Sequence, residues 1–209
     1  MDMEVDSMGL VRLIGIFLPL FFIMSAFGQE LMNTEEMIIK YRSQLQSMDE
    51  DTRISALVGL RKIGARNGQV EEILISALKD KSGYVSVLAA EALSRENKAI
   101  KHALPVLIKA LESPLDPAFK TGRYVKDWKR VAAGAIGNYG SDAAPAVPAL
   151  KKALKHTDYN VRGYAAMSLG NIGLASKSAM PDLQKAISME KIDGVKKIMI
   201  EALSKLKVL

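Results

Sequence analysis

The stretch Val161-Arg162-Gly163-Tyr164-Ala165-Ala166-Met167-Ser168-Leu169-Gly170-Asn171-Ile172-Gly173 decides the fold, because its spelling, roughly V-R-x-x-A-A-x-A-L-G-x-I-G, returns along the chain. With Leu169 as the apolar anchor, the equivalent residues are Leu60, Leu93, Ile136 and Leu203, at intervals of 33, 43, 33 and 34 residues. A period in that range marks stacked two-helix units, none of which can bury its apolar face alone. The expected fold is therefore a solenoid.

The copies differ in fidelity. Ala132-Ala133-Gly134-Ala135-Ile136-Gly137-Asn138-Tyr139-Gly140 keeps the pattern but reads Trp128-Lys129 at the V-R pair. The copy at Thr52 to Gly64 keeps Arg53, Ala56, Leu60, Ile63 and Gly64, and Val85 to Asn97 keeps Val85, Ala89, Ala90, Ala92 and Leu93. Val195 to Lys207 is degenerate. With Asp158 at the turn before it and Met180-Pro181-Asp182-Leu183 after it, the clearest copy resembles the HEAT-like repeat of bacterial scaffolds and phycobilisome lyases. The resemblance runs from about Asp49 to Leu209 and implies an all-α fold, an α-α superhelix of about five helical hairpins plus an N-terminal capping helix. About activity it implies little, since one fold hosts unrelated functions.

The spelling has physical causes. Between motif copies lie second amphipathic segments, Val70-Ile73-Leu74-Ala77-Leu78 and Leu104-Leu107-Ile108-Leu111, spaced as one helical face requires. Paired alanines at 89–90, 132–133 and 165–166 let neighbouring helices approach while keeping helix propensity high. Gly64, Gly140 and Gly173 fall where a left-handed C-cap is wanted, and Pro105, Pro148 and Pro181 where the next helix is expected to start. Copies are expected near 49–80, 81–112, 127–157, 158–190 and 191–209 within a repeat domain 29–209. Ahead of them, Asn33 to Met48 reads as a capping helix with Met37, Ile38, Tyr41, Leu45 and Met48 on one face. Lys196, Lys197, Lys205 and Lys207 suit a terminal unit with a solvated outer side.

Residues 1–28 have the shape of a secretory signal peptide: Arg12, a dozen apolar residues from Leu13 to Met24, then Ser25-Ala26-Phe27-Gly28 with small residues for cleavage before Gln29. The run is short for a membrane span, which needs about 20 apolar residues, and a retained signal anchor is the alternative. Asp2, Glu4 and Asp6 place acid where positive charge is expected, and a start at Met8 would remove them. The expectation is an exported, periplasmic or secreted protein with no stable membrane span after cleavage. Loss of residues 1–28 would leave 181 residues with 28 basic and 20 acidic side chains, a balance of +8. Cysteine is absent, which excludes disulfides, thiolate nucleophiles and an acylated lipoprotein cysteine.

No catalytic set emerges. His102 and His156 read as surface histidines, the latter in the last turn of a helix, where positive charge complements the dipole. No His, Cys, Asp or Glu group has metal-ligand spacing, no serine sits in a nucleophile elbow, and no cofactor is implied. Asp49-Glu50-Asp51 reads as an acidic helix cap more readily than as a carboxylate cluster. The G-x-x-G stretches at 137–140 and 170–173 could clamp a nucleic-acid backbone in another fold, but here they close helices at one register.

Two ladders and one irregularity remain. The residue after the motif valine reads Arg53, Ser86, Lys129, Arg162 and Lys196. In HEAT families this arginine pairs with a turn aspartate of its own or the adjacent unit, and Asp158 lies four residues before Arg162. Two residues past the anchor stand Lys62, Arg95, Asn138, Asn171 and Lys205, all donors, on the layer that the resemblance makes concave. Such a row suits an acidic partner or is merely a solvated face. The 43-residue interval places an insertion at 113–126, where Phe119, Lys120, Arg123, Tyr124 and Lys126 lead into Trp128 and Arg130. Rings interleaved with cations are enriched at interface hot spots, though Trp128 holds a core valine's place. The favoured expectation is a non-enzymatic scaffold or adaptor of the cell envelope that binds another protein through its concave helix face and this loop. The rival is a nucleic-acid binder like the HEAT-like DNA glycosylases, supported by the basic balance and opposed by export; a lyase-type chaperone of pigment attachment is the remaining option.

Overall fold

A computed structural model of the chain describes residues 33–113 and 128–208. The expectations for residues 1–28, and those for Phe119, Lys120, Arg123, Tyr124 and Lys126, lie outside the described residues. The chain divides into two compact units, Met1–Lys40 and Tyr41–Leu209. Helix α1 covers 33–44. The second unit holds the other helices, α2 (Glu50–Ile63), α3 (Gly68–Ala77), α4 (Gly83–Arg95), α5 (Ile100–Glu112), α6 (Trp128–Asn138), α7 (Val147–Ala153), α8 (Tyr159–Ile172), α9 (Met180–Met189) and α10 (Asp193–Val208). Among the described residues these make four hairpins and one further helix, α10, where the fifth hairpin is expected.

Helix starts recur at one register. Asp49, Ser82 and Asp158 each stand eleven residues before their anchors, and each side chain accepts a backbone N–H of its own first turn: Thr52 at 2.8 Å, Val85 at 3.3 Å and Asn160 at 2.8 Å. The motif helices α2, α4, α6, α8 and α10 pack each on the next and form one layer, and α3, α5, α7 and α9 back them. Leu60, Leu93, Ile136 and Leu169 are wholly buried and Leu203 nearly so, in matching places between the layers. Each such burial stabilises by about 1.5–3 kcal/mol, and the units hold by packing alone.

Small residues set the spacing. A Cβ at Gly137 would lie 3.0 Å from the Ser168 Cα, and one at Gly170 would lie 3.0 Å from the Ala202 Cα, so α6, α8 and α10 approach almost backbone to backbone. Ser168 fills its place by donating to Ala133 O at 2.6 Å. Gly64, Gly140 and Gly173 all have positive φ. Gly64 (φ 92°, ψ 145°) and Gly173 (φ 70°, ψ −138°) fall outside the left-handed helical basin expected for them, in a region that glycine alone occupies readily.

Other expectations need correction. Pro148 and Pro181 do open α7 and α9, each after a 3₁₀ segment (Gly140–Ala146 and Gly173–Ala179). Pro105 lies inside α5. There the chain turns early through Asn97 and Ala99, both at positive φ, and starts the helix five residues sooner. Helix α1 ends at 44, so Leu45 and Met48 do not continue its face, and Met48 is exposed. Tyr41 packs its ring where a Cβ of Gly59 would stand.

The long interval does not disturb the stack. Trp128 donates from Nε1 to Ala110 O at 3.1 Å, Asn138 donates to Ser94 Oγ at 2.9 Å, and Tyr139 donates to Lys98 O at 2.9 Å. These bonds register the third hairpin on the second.

Candidate interaction face of the motif helices

A helix of this layer buries its anchor and paired alanines, which leaves outward the residues five and two places before the anchor and two after it. Five before, the chain reads Leu88, Val131, Tyr164 and Ile198 on α4 to α10; two before, it reads Val58, Glu91, Gly134, Met167 and Glu201. Val58, Tyr164 and Met167 are each exposed by more than a third. The Tyr164 ring lies over Gly134, where a Cβ would stand 3.1 Å from Cδ1. Those on α2 to α8, Val58, Leu88, Glu91, Val131, Tyr164 and Met167, line a groove of about 410 Å³, and Ile198 and Glu201 on α10 lie outside it.

The groove's charges are concentrated at its α2–α4 end. Glu91, itself nearly buried, pairs with Arg61 at 3.5 Å and with Arg95. Of the donor row, Lys62, Arg95, Asn138, Asn171 and Lys205 are all exposed, as a surface ladder requires. Three of its donors have partners within the protein: Arg95 holds Glu91, Asn138 donates to Ser94, and Lys205 donates to Asn171 Oδ1 at 3.2 Å. Arg130 lines the groove half-buried. Trp128 is a correction: it is buried at the start of α6 with its indole N–H satisfied, so it serves the hairpin core and presents no ring to a partner.

The ladder that follows the motif valine is structural at its two arginines. Arg53 is buried, grips Asp80 with two bonds of 2.8 and 3.0 Å, and donates to Ser47 O and Met48 O. Arg162 repeats this on Glu190 at 2.7 and 2.9 Å, with His156 O and Thr157 O as further acceptors. The expected partner Asp158 instead caps α8. Asp80 is a turn aspartate of the kind the resemblance implies, whereas Glu190 takes that place as a glutamate; they lie 27 and 28 residues beyond their arginines, and the signal that would have named them is that both stand thirteen residues before an anchor. The bonds from Arg162 outweigh burial and hold the Glu190 carboxyl down to about 2. At the joint between α6 and α8 the same two registers read Lys129 and His156, so the carboxylate register holds no acid, and Asp158 two residues on caps α8.

His156 corrects a further expectation. It lies beyond the end of α7, in the turn before α8, half-buried, with Nδ1 accepting the Asp158 N–H at 3.0 Å. Burial first, and the neighbouring Lys129 second, push its pKa below the usual histidine value, and burial lowers that of Lys129 as well. His102 is exposed on α5. Asp49 is the acidic cap foreseen, its carboxyl held below its ordinary range by the hydrogen bonds from Thr52. Among the described residues no group of His, Cys, Asp or Glu could hold a metal, and no helix is long and apolar enough to cross a membrane.

The family model of HEAT repeats matches residues 126–204. This part of the chain, from α6 into α10, is thus similar to HEAT repeats. No curated protein matches the chain in sequence. Among solved structures, this part and the hairpins before it are similar to an engineered protein (22% identity, 86% of this chain and 83% of that one, TM-score 0.62). They are also similar to the complex of CpcE and CpcF of phycocyanin lyase from Nostoc sp. PCC7120 (25% identity, TM-score 0.60), where the match covers 81% of this chain and 64% of that one. A third likeness is to computationally designed armadillo repeat proteins for modular peptide recognition (20% identity, 85% and 84% covered, TM-score 0.59). Such likenesses establish the fold, an α-solenoid of HEAT type, which is consistent with a protein-binding scaffold.

Proposed function

We propose that this protein is an exported, non-enzymatic scaffold that binds another protein along the outward face of its motif helices, with the 113–126 segment at the edge of the site. The groove over α2, α4, α6 and α8 carries the proposal, because an apolar rung repeated from helix to helix offers an extended surface that no single hairpin needs for its own core. The near backbone contact of α6 with α8 and of α8 with α10 supports a concave outer face for this layer, since closer spacing on one side of a stack bends it toward that side. The designed neighbour for modular peptide recognition supports a peptide or protein ligand by analogy of fold. The apolar run after Arg12 supports export.

A photo-crosslinking amino acid placed at Met167 or Tyr164 tests the site. Adducts with one partner at both positions, and none from Lys101 or Gln184 on the backing layer, are expected. Equal adducts from the backing positions would move the site away from this face. If the protein instead bound duplex DNA at nanomolar strength with a steep loss toward physiological salt, the nucleic-acid reading would replace this one.

A further inference from the structure

A second cavity, larger than the motif-helix groove, lies away from that face. It lies at one edge of the stack, between the turn from α7 into α8 and the turn from α9 into α10, and holds about 660 Å³. Leu154, Tyr159, Ala186, Met189 and Ile192 form its apolar walls. Three of them are large and open to solvent: Tyr159 is 49% exposed, Ile192 45% and Met189 69%. Apolar side chains gathered at a concavity of this size are the usual lining of a ligand site.

The charge around it that has no partner in the protein is positive. Lys155, Lys185 and Lys191 surround the opening, all exposed. Among the described residues, the carboxylates of the wall are already engaged: Asp182 pairs with Lys151 at 3.0 Å, and Glu190 is held by both arms of Arg162 and by the N–H groups of Lys191 and Ile192. The three lysines enter no such pair. The rung behind the pocket adds to this. Where the joint between α2 and α4 sets an arginine on Asp80, this joint sets Lys129 with His156 in the place of the carboxylate, so Lys129 adds a basic group without the acidic partner that Arg53 has.

We propose that this edge pocket is a second docking site, which takes a short acidic peptide segment of a partner protein bearing at least one large apolar side chain. The apolar residue enters between Met189, Tyr159 and Ile192, and flanking carboxylates meet Lys155, Lys185 and Lys191. A concavity receives a protruding side chain, whereas a bilayer presents none, and the shallow lysine rim does not form the continuous basic track that a nucleic-acid backbone needs. The site is distinct from the motif-helix groove and stands whether or not that groove binds.

A random twelve-residue peptide display library, panned on the purified protein and counter-selected on the Lys155→Glu/Lys185→Glu/Lys191→Glu variant, tests the proposal. Peptides with Asp or Glu beside Leu, Ile, Met or Phe are expected to enrich. A representative labelled peptide should lose roughly tenfold or more in affinity on the triple variant and on Met189→Glu. Both variants alter exposed side chains, and unchanged melting would show that they fold. Tyr164→Glu, in the motif-helix groove, should bind the peptide as the natural protein does. No enrichment over the variant, or enrichment of peptides without acidic residues, overturns the proposal. So does tighter binding, with the same lysine dependence, of vesicles containing a quarter phosphatidylglycerol or of a 20-base-pair duplex.

Discussion

Arg162 illustrates how much one side chain can fix in a solenoid. Its guanidinium joins the turn carbonyls before α8 to Glu190 at the end of α9, and so ties the fourth hairpin to the connection that starts α10. Arg162→Met would leave Glu190, 1% exposed, as an uncompensated buried carboxylate, and such losses cost about 3 kcal/mol or more. Replacing both residues by methionine should recover most of that loss. Equal destabilisation of the single and double variants in urea melts would contradict the assignment. The pH dependence has a definite sign. The folded-state value of Glu190, about 2, lies below its ordinary 4.5, so the stabilisation is complete above pH 4.5 and is lost as the pH falls toward 2. At roughly 1.4 kcal/mol per unit this amounts to about 3 kcal/mol, and the double variant should show a flatter acid limb. Gly173 can be tested in the same melts. Its φ of 70° with ψ of −138° is strained for any side chain, so Gly173→Val should cost more than about 1 kcal/mol. At this scale the sequence was informative about identity but not about partners: the register of Arg53 and Arg162 was visible, while Asp80 and Glu190 were hidden by a separation of a whole hairpin.

The element scale was largely legible, because helix starts, anchors and paired alanines each recur at one offset and point to the same layers. It failed where a local feature overrode the repeat. Pro105 keeps the register of Pro148 and Pro181, yet Asn97 and Ala99 turn the chain at positive φ and enclose it within α5. The outward apolar rung of Leu88, Val131, Tyr164 and Ile198 was readable by the same comparison of registers, but its meaning depends on knowing which side of the helix the core leaves free. Packing between elements makes a sharper prediction. Since a Cβ at Gly170 already approaches the Ala202 backbone at 3.0 Å, Gly170→Leu should push α10 off α8. Interactions in such stacks are between nearest neighbours, so hydrogen exchange should accelerate across 193–208 while α2 to α5 keep their protection. Uniform acceleration along the chain would mean that the hairpins do not act as separable layers.

On the scale of the molecule, the period and its single break were both evident from the anchors, and the stack is continuous across the break. The other connections between hairpins span 78–82, 154–158 and 190–192, whereas α5 and α6 are joined by 113–127. Three bonds hold α6 to the second hairpin without those residues: Trp128 reaches Ala110, Asn138 reaches Ser94 and Tyr139 reaches Lys98, all from within the helices and their ends. Shortening a connection threefold changes its closure entropy by only about 1 kcal/mol. Deleting ten residues between Pro114 and Lys126 should therefore leave the melting temperature within a few degrees of the natural value and preserve the helical circular dichroism. If the segment takes part in capture, as proposed, the same deletion should remove the Met167 crosslink to the partner. A folded deletion protein that still crosslinks would confine recognition to the motif helices, and an unfolded one would show that the segment braces the stack between its second and third hairpins.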